Sequence, residues 1–225
     1  MIEVVGFDLD NTLYDHSTFE FQVYEEIASR LNHLYNTDKN KYLKSLKFEF
    51  NNRNFNKLFD NAYIKAFEIL PKDWEEKYIP IILEIYRNYV PNKRIQPKKQ
   101  ILNILKEIKY TTQAKLVLIT NGKSKIQNTK IDLLGIRDYF DLILISDEFE
   151  PIARKPDTTM FKEVLRYYSI DGNKMVYIGD DNFIDGSCIM EKIHFFNVSS
   201  LKDYIDIRII MNQLFMNSEE YHENG

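Results

Sequence analysis

Asp8 and Asp10 stand two residues apart, just after a short apolar run at residues 2–7. In an extended segment that spacing points both side chains the same way. Two carboxylates so close repel each other unless a shared proton or a cation relieves them. A divalent ion does this, and hard oxygen ligands suit magnesium. The same letters also describe one aspartate capping a turn and another facing solvent. A second group follows the apolar run 115–119: Thr120, Asn121 and Gly122. A hydroxyl and backbone N–H groups at a strand end, just before a helix, suit a phosphate. Gly122 lets the backbone approach an anion closely; an ordinary strand-to-helix loop reads the same way. Lys155, aimed by Pro156, precedes a helix starting near Asp157 or Thr158 and could neutralise a carboxylate or a phosphate oxygen. A single lysine is more commonly solvated. Asp180 and Asp181 end the apolar run 175–178, and Asp185 follows five residues after Asp180. Carboxylates abutting a buried strand are costly unless they bind something, and metal coordination is the direct account. The alternative is an N-cap with solvent-facing acids.

These groups must be positioned by a sheet. Short apolar strands are predicted at 2–7, 115–119, 142–145, 175–178 and 195–198, with helices at 98–109, 124–134, 158–168 and near 187–192. Helices alternating with continuous apolar strands indicate a parallel sheet covered on both faces. The expected fold class is therefore α/β: a three-layer, Rossmann-like parallel sheet core carrying an inserted all-helical domain. The core is read as residues 1–13 and 93–225, and the insertion as 14–92. In the insertion Tyr24, Ile27, Ala28, Leu31 and Leu34 fall at helical steps, as do Phe59, Tyr63, Phe67 and Leu70. Residues 38–56 read as a weaker helix and a loop. Trp74, Tyr78, Ile81, Ile82, Ile85 and Tyr89 make a further stripe, with Pro80 marking a kink or restart. Residues 201–216 read as a last amphipathic helix followed by a frayed end. Ligands on open parallel sheets bind beyond the carboxyl ends of the strands. The acid pair at 8 and 10, Thr120 with Asn121, and the acids at 180 and 181 all lie at such ends.

Composition narrows the field. The chain has 225 residues, 44% of them hydrophobic, and a formal charge of −4 with mixed signs. No Lys/Arg block marks a nucleic-acid footprint. A single cysteine, Cys188, excludes an internal disulfide. No basic n-region, long apolar h-region or membrane-length stretch is present, so a cytoplasmic protein without nucleic-acid or membrane partners is expected, as a monomer or homodimer.

Taken in order, the groups resemble a known family. Phe7-Asp8-Leu9-Asp10-Asn11-Thr12-Leu13, Ile119-Thr120-Asn121-Gly122, Lys155-Pro156-Asp157, and Gly179-Asp180-Asp181 with Asp185 are similar to the four motifs of the haloacid dehalogenase superfamily of phosphohydrolases. Gly135-Ile136, Tyr139-Phe140-Asp141 and Ser146-Asp147 resemble the family's linker between its second and third motifs. The resemblance covers about two thirds of the chain. The helical insertion resembles the family's cap.

The resemblance implies roles. Asp8 would be the nucleophile that forms an aspartyl-phosphate. Asp10 would protonate the leaving alcohol and then activate water. Thr120 and Lys155 would hold and neutralise the phosphoryl oxygens, with Asn11, Asn121 and Gly122 also lining the substrate. Mg²⁺ would be held by Asp8, the backbone carbonyl of Asp10 and Asp180, with Asp181 or Asp185 supporting it directly or through water. The family often has a glycine shortly before its third-motif lysine. Here the run from Asp147 to Lys155 is longer and lacks it, and Arg154 is a second cation at that point.

The expected activity is a magnesium-dependent phosphatase on a small phosphorylated metabolite. The run Asp10-Asn11-Thr12-Leu13-Tyr14-Asp15 is similar to that of nucleotidase-type relatives, which implies a nucleoside monophosphate, with a sugar phosphate, phosphoglycolate or a phosphomutase reaction as alternatives. A carbon–halogen hydrolase would need no acid at position 10. A non-catalytic, partner-binding relative would be expected to lack one of Asp8, Asp10, Lys155 or Asp180. His16 reads as a linker histidine, Trp74 as helical-domain core and Cys188 as a buried small residue. Tyr14 is a minor candidate for orienting substrate.

Overall fold

The computed structural model describes residues 1–198, so the helix read at 201–216 lies outside the described residues. The described chain begins with strand β1 (Val4–Phe7) and continues into helices α1 (Ser17–Tyr35), α2 (Lys39–Asn51), α3 (Leu58–Phe67) and α4 (Ile79–Asn88). Then come α5 (Lys99–Thr111), β2 (Lys115–Thr120), α6 (Ser124–Leu134), β3 (Leu142–Ile145), α7 (Thr159–Tyr168), β4 (Met175–Gly179) and β5 (His194–Asn197). The chain divides into two compact units, residues 1–15 with 96–225, and residues 16–95.

The first unit is a five-stranded sheet in the order β3-β2-β1-β4-β5, with every neighbouring pair parallel. β1 is central. Val4 to Phe7 pair with Lys115 to Leu118 on one side and Met175 to Ile178 on the other. All four β1 residues are buried, as a strand covered on both faces requires. Alternation then sorts the side chains. Val117 and Ile119 of β2 and Met175 and Tyr177 of β4 share a core cluster with Met160, Phe161 and Val164 of α7. Ile101, Ile104, Leu105 and Ile108, at helical spacing along α5, are buried in turn, and α5 packs against β2. Cys188 lies in the α7 cluster, where burial pushes its thiol up to about 12 and leaves it a small apolar filler.

The turn after β1 is fixed within this unit. Tyr14 pairs with Pro97, and the Lys98 backbone N–H donates to Leu13 O at 2.8 Å. The Lys98 ammonium reaches back to the Asn11 carbonyl. Asn11 takes a positive φ of 63°, a conformation asparagine tolerates better than most residues. The tightness of the Asp8–Leu13 turn thus depends on residues more than eighty positions away.

The second unit is all-helical. Asp38 caps α2, its carboxylate accepting from the Asn40 and Lys41 amides. Residues 38–56 are therefore a full helix followed by a turn, since capping and the buried Tyr42, Leu46 and Phe50 outweigh their polar composition. Pro80 lies in the first turn of α4, after a π-helical turn at Trp74–Tyr78, where its missing N–H costs little. Trp74 is buried against Tyr63 at a ring separation of 4.7 Å, and its indole N–H donates to Asp60 at 2.8 Å. This unit also buries Glu20, which accepts from the Tyr86 hydroxyl at 2.8 Å and pairs with His16 at 3.0 Å.

Candidate active site

Asp8 follows the last residue of β1, and its backbone N–H donates to Ile178 O of β4 at 2.9 Å. The sheet ladder therefore continues one residue past β1 and fixes the direction of this carboxylate. Lys155 meets it from the loop before α7. Lys155 is 3% exposed, and its ammonium lies 2.8 Å from Asp8 Oδ1, 2.6 Å from Asp185 Oδ1 and 2.7 Å from the Tyr177 hydroxyl. Tyr177 donates its own proton to Ile119 O at 2.9 Å, so its oxygen is free to accept from the lysine.

The loop holding Lys155 lacks the expected glycine, yet it is firmly placed. The Asn121 amide donates to Lys155 O at 2.8 Å and accepts from the Lys155 N–H at 2.8 Å. This two-way clamp ties the loop to the end of β2. Arg154 points elsewhere, to a bidentate pairing with Asp147 at 2.9 and 3.1 Å. Gly122 follows with φ 149°, a Cβ there would lie 2.9 Å from the Gln127 side chain, and its N–H donates to Ser146 Oγ. Thr120 is buried, and its hydroxyl accepts from Gln127 Nε2 at 2.6 Å.

The acids after β4 divide their work. Asp185 is 2% exposed; its Oδ2 accepts from the Asp180 and Asp181 amides, each at 3.1 Å. Its carboxylate packs onto Gly179, where an added Cβ would lie 2.4 Å from Asp185 Cγ. Asp181 Oδ1 instead accepts from the Phe183 and Ile184 amides, each at 2.9 Å, and shapes the following turn. Asp8, Asp180 and Asp185 each offer an oxygen within 4.8 Å of the others. Lys155 pairs with two of these three carboxylates, Asp8 and Asp185, and the charge of Asp180 acts on Lys98. A hard divalent ion fits this all-oxygen donor set.

Burial pushes the Asp8 carboxyl well above the ordinary carboxylate range, Lys155 opposes this, and Asp185 adds to it. Burial alone would lower the Lys155 ammonium, but Asp8 and Asp185 outweigh it and hold it above its usual value. Burial, aided by Asp185 and Asp8, raises the Tyr177 phenol and keeps it neutral.

Asp10 has separate surroundings. Its Oδ1 accepts from the Tyr14 hydroxyl at 2.6 Å and from Lys130 at 2.9 Å; its Oδ2 accepts from Lys130 and Gln127, both at 3.1 Å. Reading the sequence alone passed over Tyr177, Gln127, Lys130 and Lys98. Lys130 did leave a trace: it sits between Ile126, Ile131 and Leu134, where an amphipathic helix places apolar residues. A charge in that stripe signals a buried partner. Tyr177 left none, because a tyrosine is unremarkable in a buried strand.

Residues 5–198 match the model of the haloacid dehalogenase-like hydrolase family. The chain is 32% identical over 183 residues to a Methanocaldococcus jannaschii protein named glyceraldehyde 3-phosphate phosphatase, covering 80% of this chain and 77% of that one. It is 28% identical over 188 residues to an Aquifex aeolicus protein named phosphoglycolate phosphatase, covering 80% and 76%. Its fold is shared with the crystal structure of a HAD-superfamily hydrolase from Geobacter sulfurreducens, with a TM-score of 0.65, 18% identity, and 87% and 86% of the two chains covered.

Proposed function

The chain belongs to the haloacid dehalogenase-like hydrolase family, and we propose that it is a magnesium-dependent phosphomonoesterase acting on a small sugar phosphate or related short-chain phosphate. The observation that carries this is the buried Asp8 carboxylate, bonded to Lys155 and flanked by Asp180 and Asp185, with a second acid two residues on. A carbon–halogen hydrolase has no use for Asp10 or for a cluster of acids that suits magnesium.

The steps follow from the residues. An Asp8 oxygen attacks phosphorus, the bond from phosphorus to the alcohol oxygen breaks, and that oxygen takes a proton from Asp10. Water then attacks phosphorus and gives a proton to Asp10, the bond to Asp8 breaks, and inorganic phosphate leaves. Splitting one displacement into two eases each, and both depend on positioning and charge neutralisation. Thr120 and Lys155 are assigned to the phosphoryl oxygens, beside Asn11, Asn121 and Gly122. Magnesium, held by Asp8, Asp180 and Asp185, would offset the repulsion between Asp8 and a phosphate dianion. The names of the M. jannaschii and A. aeolicus relatives support the short-chain substrate. The helical unit is assigned the role of a cap that selects the alcohol.

The test is phosphate release from a panel of glyceraldehyde 3-phosphate, phosphoglycolate, nucleoside monophosphates and an aryl phosphate, with magnesium and with EDTA. Short-chain esters should exceed nucleotides by about tenfold or more in kcat/KM, a difference of ~1.4 kcal/mol in transition-state binding. EDTA should silence turnover and magnesium restore it. Turnover without metal, or none on any monoester, would sink the phosphatase reading; preference for nucleotides would move the substrate class.

A further inference from the structure

We propose that Lys130, with Gln127 one turn earlier on α6, is a positioning residue for Asp10, holding its carboxylate in the direction from which it serves the leaving oxygen. The proposal rests on the phosphatase reading of Asp8 and Asp10 above.

Lys130 is 3% exposed, and its ammonium contacts both Asp10 oxygens, at 2.9 and 3.1 Å. Burying an ammonium is expensive, and well-packed apolar residues often serve stability as well as a buried ion pair does. The position lies in a stripe with Ile126, Ile131 and Leu134, where an apolar side chain would pack. A lysine there is therefore explained by what it holds rather than by stability. What it holds is the acid two residues from the nucleophile.

Gln127 adds direction. Its amide nitrogen donates to Asp10 Oδ2 at 3.1 Å and to Thr120 Oγ1 at 2.6 Å. One side chain thereby ties the acid to the hydroxyl assigned to the phosphoryl group. Tyr14 donates to Asp10 Oδ1 from within the catalytic turn. Donors arriving from two elements fix a carboxylate's rotamer, and small misplacements of a reacting group are costly in rate.

The readout is how kcat/KM depends on the leaving group. Departure of 2,4-dinitrophenolate needs little protonation, whereas phenolate and alkoxide need much. The full chain and its variants are assayed at saturating magnesium on a series from 2,4-dinitrophenyl phosphate through phenyl phosphate to an alkyl phosphate. For Lys130→Met the loss on the alkyl ester should exceed that on the dinitrophenyl ester by about tenfold to a hundredfold, at or below the lower end of what a general acid supplies, since Asp10 itself remains. Lys130→Arg should recover part of it. Asp10→Asn should steepen the series similarly, and Lys130→Met added to Asp10→Asn should steepen it no further. An equal loss on every ester, or additivity in the double variant, would overturn the proposal. If Lys130→Met does not fold, as judged by cooperative unfolding, Gln127→Met replaces it. Its series should steepen in the same direction, and a flat one would also overturn the proposal. A steep Asp10→Asn series with a flat Lys130→Met series defeats the Lys130 role alone. A flat Asp10→Asn series defeats the acid assignment of Asp10 itself.

Discussion

Asp8 and Asp10 are neighbours in sequence, yet the fold gives them different surroundings. Around Asp8, Lys155 bridges Asp8 and Asp185 while Asp180 offers a third oxygen nearby, and all arrive from ends of the sheet or the loops that follow. Around Asp10, one carboxylate has its own lysine and two neutral donors, Gln127 and Tyr14. The first group gathers three converging acids and suits an added cation. In the second, several donors converge on one acid. Each acid thus has a lysine beside it, Lys155 at Asp8 and Lys130 at Asp10, while Asp10 still adds to the upward push on the Asp8 carboxyl.

The sharpest way to break this contrast is at Asp8. Asp8→Asn should lower kcat on an aryl phosphate by about a thousandfold or more, because a neutral amide is a poor nucleophile. The variant should still unfold cooperatively, and near-normal turnover would remove the distinction between the two acids. Gly179→Ala strikes the supports of the Asp8 group. Its Cβ would meet Asp185, so a destabilisation of about 1–3 kcal/mol is expected. The magnesium concentration for half-maximal activity should rise with it, and an unchanged magnesium titration would show that Asp185 needs no such packing.

Asn121→Ala removes the clamp on Lys155 without touching any carboxylate. Losing its two hydrogen bonds should cost about 1–3 kcal/mol in chemical denaturation and lower kcat severalfold. Arg154→Ala should matter least. Its pairing with Asp147 is half-exposed and worth about 0–1 kcal/mol, so kcat should stay within about threefold of the parent. A large fall in kcat would mean that Arg154 shares the phosphate with Lys155.

The fold was largely legible. Continuous apolar runs bounded by turns located the strands, and alternation with helices implied their parallel order. Residues 38–56 were the weak point, since one capping aspartate and three buried side chains decided a segment whose composition is polar. The site was legible where chemistry sits at strand ends. It was obscure at Lys155, where the missing glycine left the loop's path open and Asn121 closed it.

What the sequence determined by itself was an inventory: two acids two residues apart, a hydroxyl and a second acid group, each following an apolar strand, and a lysine before a helix. Short-range spacing carries that much, because strand and helix periods are local. Which lysine serves which acid was settled only by tertiary structure. Lys155 is 147 positions from Asp8 and Lys130 is 120 from Asp10. Only the sheet order and the docking of α6 bring them within hydrogen-bond reach, since an ammonium buried at either place is tolerable only against a specific carboxylate.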